Sequence, residues 1–113
     1  ARTRKRLAEL DYDFAGLTEL MRSHGWGTVS LLFRESESLI HSRNAFAIGG
    51  VVEDPATGAA AAALGGYLRA RNLLPLDGRF NVRQGEDMGQ PCLLEVDASG
   101  TGGVQVGGLA TSI

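Results

Sequence analysis

The chain has one cysteine, Cys92, and three prolines among its 113 residues, and aromatics make up only 6% of it. A lone cysteine excludes an internal disulfide and fits a reducing, cytoplasmic setting. No apolar run approaches the roughly 20 residues that span a bilayer, so no membrane partner is expected. Neither sign of charge dominates: 11 Lys and Arg stand against 13 Asp and Glu, a formal net charge of −2. That balance gives no electrostatic reason to expect nucleic acid. The exception is local, since Arg2, Arg4, Lys5 and Arg6 form a basic start that reads as a solvated arm. His24 and His41 lack a Cys, Asp or second His at ligand spacing, so no metal is expected. Ser30, Ser42 and Thr57 sit in no Gly-x-Ser-x-Gly elbow. Cys92, on an apolar strand, reads as an inert buried thiol. The chain starts at Ala1 rather than Met, as a processed product or one piece of something larger would, and no signal-type segment opens it.

What remains is an ordinary globular composition, 43% hydrophobic and 21% charged, sufficient for one domain with its own core. The chain is organised around Gly49 to Asn72, GGVVEDPATGAAAAALGGYLRARN. A Gly-Gly turn, an acid-proline step and a Thr-Gly pair run into five alanines, Ala59 to Ala63, which reads as an open loop entering a helix. Asp54 before Pro55 fits an N-cap with Pro at the first helical position; Thr57 before Gly58 is the other possible start. From Ala59 to Leu68 apart from Tyr67 the residues are aliphatic or glycine, which predicts a helix buried all round and wrapped by strands. Gly65 and Gly66 each cost about 1 kcal/mol against alanine in a helix, so close packing is expected there.

Around that centre, residues 1–12 read as an arm and linker. Asp13 caps an expected helix from Phe14 to His24, with Phe14, Leu17, Leu20 and Met21 on one face and Gly25 as its stop. Trp26 to Arg34 and Leu39 to Ala47 read as an antiparallel pair of strands joined by the polar turn Glu35 to Ser38. Arg79 to Gln84 and Cys92 to Val96 are further strands, and Ala98 to Gly103 is a hairpin turn. A return strand starts at Val104 to Val106, with a bulge expected at Gly107-Gly108. The order predicts an α+β fold, a mostly antiparallel sheet curled around one helix, in a single lobe over residues 13–113.

Two features carry candidate chemistry. Asp54, beside a proline-stiffened turn at the mouth of a helix, either caps that helix or orients a substrate and exchanges a proton. Glu53 beside it reads as a solvated loop carboxylate. The amides of Thr57, Gly58, Ala59 and Ala60 form a candidate anion site, because a helix start has free donors and about half a positive charge. With no Gly-Lys-Ser/Thr and no dinucleotide glycine spacing, a carboxylate suits it better than a nucleotide.

GGVVEDPATGAAAAALGGYL closely resembles the E-D-P-A-T-G-S-A motif of the phenazine-biosynthesis PhzF-like family, which has the diaminopimelate epimerase fold. SRNAFAIGGVVEDP, QGEDMGQPCLLEV and VQVGGLATSI extend the resemblance over about Asp11 to Ile113, the second of the family's two lobes. The resemblance implies an isomerase or epimerase that moves a proton on a small carboxylate-bearing carbon acid, without metal or organic cofactor. It assigns Asp54 a catalytic part and the amides around Gly58 and Ala59 a part in holding the ligand. The base implied is a Glu of a complementary N-terminal lobe, and no acid in this chain maps onto it. Ala59 stands where the family often has Ser, Gln90 replaces an Arg, and Ala47-Ile48-Gly49 lacks the usual Pro. The alternative is a non-catalytic lobe that assembles with itself as a homo-oligomer.

Overall fold

The computed structural model describes residues 1–112; Ile113, the last residue of the expected lobe, lies outside them. Helix α2 (Phe14–His24) forms where expected because both its ends are closed chemically. Asp13 Oδ1 accepts the Gly16 N–H at 3.0 Å, and Gly25 takes the left-handed conformation that L side chains resist. Met21 is its fully buried residue, while Phe14 and Leu20 of the expected face remain largely exposed.

Strands β1 (Val29–Arg34) and β2 (Leu39–Phe46) pair antiparallel in unbroken register from Val29↔Ala45 to Arg34↔Ile40. After β3 (Val51–Asp54) and α3 (Gly58–Ala70) come β4 (Arg79–Gln84), β5 (Cys92–Asp97) and β6 (Gln105–Gly108). The six-stranded sheet runs β1-β2-β4-β5-β6, with β3 also paired to β2. All pairings are antiparallel except β2–β4, whose connection runs through α3. The α+β, mostly antiparallel reading therefore holds. Two details differ from the sequence reading. Val51–Asp54, read as loop, is a strand, because β4 pairs with β2 only as far as Ser42 and leaves the edge from Asn44 to Phe46 for a second neighbour. Gly107 and Gly108 pair regularly with Glu95 and Leu94, so no bulge forms there.

Helix α3 packs on the sheet through Ala61, Gly65 and Leu68, against a core of Ile40, Phe80, Val82, Leu94 and Val96. The expected all-round burial is not met within this chain. Ala59, Ala63 and Tyr67 are exposed, because the described strands cover only one face of the helix. The close-packing expectation holds at one glycine of the pair. A Cβ at Gly65 would stand 2.9 Å from Val104 Cγ1 and 3.1 Å from Val96 Cγ1, whereas one at Gly66 meets nothing within 4 Å.

Residues 1–12 are not the solvated arm their charges imply. They contain helix α1 (Arg4–Ala8), capped by Thr3, with Leu7 only 2% exposed. Arg4 donates to Asp87 at 2.9 Å, which raises its guanidinium above the usual range, and Arg43 Nη1 donates to the Ala8 carbonyl at 2.8 Å. Arg2, Lys5 and Arg6 are exposed, as a solvated segment requires; of the basic start only Arg4 pairs with the loop after β4. Beneath it His41, buried on β2, meets Glu35 through Nε2 at 2.5 Å and Glu86 through Nδ1 at 3.0 Å.

Two outcomes are expected. Gly66→Ala gains about 1 kcal/mol of helix propensity at no steric cost, while Gly65→Ala offsets that gain against crowding. Chemical denaturation should therefore place Gly66→Ala at least about 1 kcal/mol above Gly65→Ala. The hydrogen bond from His41 holds the Glu35 carboxyl below its ordinary value of 4.5. A depressed carboxylate stabilises fully above that value and loses its contribution as pH falls below it. Melting curves of Glu35→Gln should thus match the parent in strong acid and fall below it above pH 4.5.

Candidate functional site

One long edge of β2 serves two strands. Leu39 to Ser42 pair with β4 in parallel, and Asn44 to Phe46 pair with β3 antiparallel. The last residue of β3, Asp54, and the last residue of β4, Gln84, therefore arrive at the same break in the sheet. Helix α3 begins there too, three residues after the break is entered.

Side chains close the break on the helix side. Gln84 is 2% exposed, and every polar atom of its amide is used. Its Nε2 donates to the Asp54 carbonyl at 2.7 Å and to Thr57 Oγ1 at 2.9 Å, and its Oε1 accepts the Thr57 N–H at 3.1 Å. The Thr57 hydroxyl donates to Asp54 Oδ2 at 2.5 Å, and the Ala56 N–H lies 3.5 Å from Oδ1. Gly85 follows with φ +78°, where a Cβ would strike the Gln90 carbonyl at 2.1 Å and the Pro55 carbonyl at 2.9 Å. Only glycine lets this turn approach the Asp54–Thr57 loop so closely.

Asp54 is not the N-cap of α3. Its backbone is committed to β3 opposite Asn44 and its carbonyl to Gln84, so the helix cannot start until Thr57 takes the cap position. Thr57 caps without its side chain, whose hydroxyl is turned to Asp54. The first backbone bond of the helix runs from Ala61 N to Thr57 O. The amides of Gly58, Ala59 and Ala60 accordingly have no acceptor within the helix, and they lie at its positive end. Gly58 and Ala59 are exposed, and a Cβ at Gly58 would meet open space. Of the four amides expected to face a ligand, the one on Thr57 is engaged by Gln84, and the other three have no acceptor among the described residues. Beside the site, Ala56 lines a groove of about 660 Å³ with Pro91, Cys92, Leu93, Gly108 and Leu109. Cys92 is half-buried there rather than enclosed in the core, because it opens a strand at its rim.

On the opposite side of the sheet the break is closed by charge. Arg43, between the two halves of β2, binds Glu53 through Nε at 3.0 Å and Nη2 at 2.7 Å. The Glu53 side chain is 6% exposed and that of Arg43 12%, so Glu53 is not the solvated loop carboxylate that its position beside Asp54 implies. The bond to Glu53 raises the Arg43 guanidinium above its ordinary range. Tyr12 donates to the Val52 carbonyl, and desolvation, with Glu53 nearby, raises its phenol. Among the described residues no group of three His, Cys, Asp or Glu gathers as a metal site, and no helix is long and apolar enough to cross a membrane.

Asp54, Thr57, Gly58, Ala59 and Ala60 lie together at the end of β3 and the start of α3, joined by Gln84, which the sequence reading does not single out. Its signal was available: in RFNVRQ the residues alternating with Arg79, Asn81 and Arg83 are Phe80, Val82 and Gln84, a polar side chain ending a buried face.

The model of the phenazine biosynthesis-like (PhzC-PhzF) family matches residues 1–113. The chain belongs to this family. An uncharacterized isomerase of Clostridium acetobutylicum is 32% identical to this PhzC-PhzF chain over 91 residues, 77% of the chain and 30% of the isomerase. The structure of a predicted epimerase from Pseudomonas aeruginosa superposes with a TM-score of 0.68 at 28% identity, covering 96% of this chain and 38% of that one. The PhzC-PhzF chain thus spans about a third of the length of these relatives.

The ion pair that closes the break makes a direct prediction. Removing one partner of a buried pair leaves an uncompensated charge, at a cost of about 3 kcal/mol. Arg43→Met, which strands Glu53, should lower unfolding free energy by about that much, Glu53→Gln by less because Asp87 Oδ2 remains 3.9 Å from Arg43 Nε, and the double variant should recover part of the larger loss. Urea denaturation of the three variants checks it.

Proposed function

We propose that this chain is the C-terminal lobe of a cofactor-independent isomerase or epimerase that moves a proton on a small carboxylate-bearing carbon acid. The observation that carries the reading is the pairing, at one break in the sheet, of a half-buried carboxylate with three amides lacking helical acceptors. The amides of Gly58, Ala59 and Ala60 hold the substrate carboxylate at the positive end of α3. Asp54, whose Oδ2 is anchored by Thr57, assists proton transfer through its other oxygen. A glutamate of a complementary N-terminal lobe, outside these 113 residues, takes the proton from carbon. The electron pair left behind is drawn toward the carboxylate held at the helix start, and return of a proton to another carbon or the opposite face gives the product. The groove beside Ala56 takes the body of the substrate. Kinship with an isomerase and an epimerase favours this reading over a non-catalytic assembly module.

The test is deuterium uptake from D₂O into candidate carboxylic acids, followed by NMR, in the protein that carries this chain with its other lobe. Wild type should exchange one carbon-bound hydrogen, and Asp54→Asn should slow that exchange about 100-fold or more. Full exchange in Asp54→Asn would sink the role given to Asp54, and no exchange in the wild type with any acid would sink the reaction.

A further inference from the structure

We infer that Gln84 is a positioning residue of this site, setting the direction of a hydrogen-bond relay that decides which oxygen of Asp54 is available to a ligand. The inference rests on the proposed function only in taking Asp54 to face the substrate. Its basis is the set of partners around a single buried amide. The Thr57 N–H can only donate and the Asp54 carbonyl can only accept, and both contact the Gln84 side chain, at 3.1 and 2.7 Å. Those two backbone groups leave one orientation for the amide, with Oε1 toward Thr57 N and Nε2 toward Asp54 O. The second proton of Nε2 then points at Thr57 Oγ1, 2.9 Å away. A hydroxyl that receives this proton turns its own toward the acceptor on its other side, Asp54 Oδ2 at 2.5 Å. The relay runs one way, from the Gln84 amide through the Thr57 hydroxyl to the Asp54 carboxylate.

The two oxygens of Asp54 are thereby made unequal. Oδ2 is held by a short hydrogen bond to a hydroxyl that is itself polarised. Among the described residues Oδ1 has only the 3.5 Å approach of the Ala56 N–H. The oxygen that meets a ligand or carries a proton is Oδ1. A glutamate at position 84 would keep the shape but replace the donor with an acceptor, against the Asp54 carbonyl and the Thr57 oxygen. The relay would then lose its direction.

The experiment compares wild type with Gln84→Glu, Thr57→Val and the double variant, in the protein that carries both lobes. Two quantities are read: the ¹³C shift of the Asp54 side-chain carboxyl at neutral pH, and the rate of solvent deuterium exchange. Each single variant should displace the Asp54 carboxyl signal and lower kcat about tenfold or more with little change in KM. The double variant should be no slower than the slower single, since both cut the same relay. Thr57→Val keeps both backbone bonds of Gln84, so it carries the test if Gln84→Glu fails to fold. An Asp54 signal unmoved by both changes, or losses that multiply in the double variant, would overturn the relay. Were the wild type inactive toward every acid tried, the proposed reaction would fall while the carboxyl shifts still decided the relay.

Discussion

The edge of β2 that faces β3 and β4 is shared by two strands that run in opposite directions, and the gap between their ends has to be closed by side chains. Backbone pairing cannot cross that gap, and unpaired polar groups buried there would each cost about 1–3 kcal/mol. The chain closes it twice: Gln84 joins β4 to the Asp54–Thr57 loop on the helix side, and Arg43 joins β2 to Glu53 on the other. Both closures depend on residues placed by strand register, so a slip of one position would turn Gln84 away from the loop and Arg43 into the core.

The same break that threatens stability is where chemistry becomes possible. Asp54 ends β3 there and α3 starts soon after at Gly58, which brings a half-buried carboxylate beside three amides without helical acceptors. Around them the support is rigid: a fully engaged amide, a glycine turn that admits no side chain and a buried ion pair. A site on a loop gains precision when its supports are locked in this way. The arrangement is one-sided, and α3 leaves Ala59, Ala63 and Tyr67 uncovered. The chain spans about a third of the length of the relatives it matches.

Much of this was legible in the sequence, and the failures have physical causes. The helix from Phe14 to His24 could be read to the residue because Asp13 and Gly25 encode its ends locally. Strand β4 could be read because RFNVRQ alternates without a break. Strand β3 could not, since four residues between glycines and a proline carry no period, and it forms only because β4 leaves the Asn44–Phe46 edge of β2 open. Asp54 was ambiguous for a related reason: Asp-Pro encodes a helix cap locally, and tertiary pairing with Asn44 overrides it. The pairing of Arg4 is not legible locally, because its partners, Asp87 and Glu86, lie more than eighty positions away in the chain. Glycine 65 and glycine 66 are indistinguishable in the sequence; only the position of Val96 and Val104 separates them.

The account stands or falls on whether the start of α3 holds a carboxylate. Titration of the isotope-labelled protein with a small monocarboxylate, at constant ionic strength and against chloride, reads each backbone amide separately by NMR. Saturable downfield shifts are expected at Gly58, Ala59 and Ala60, with the Thr57 amide little moved because Gln84 already holds it. Shifts spread evenly over the surface, or a Thr57 amide that responds as strongly as its three neighbours, would contradict it.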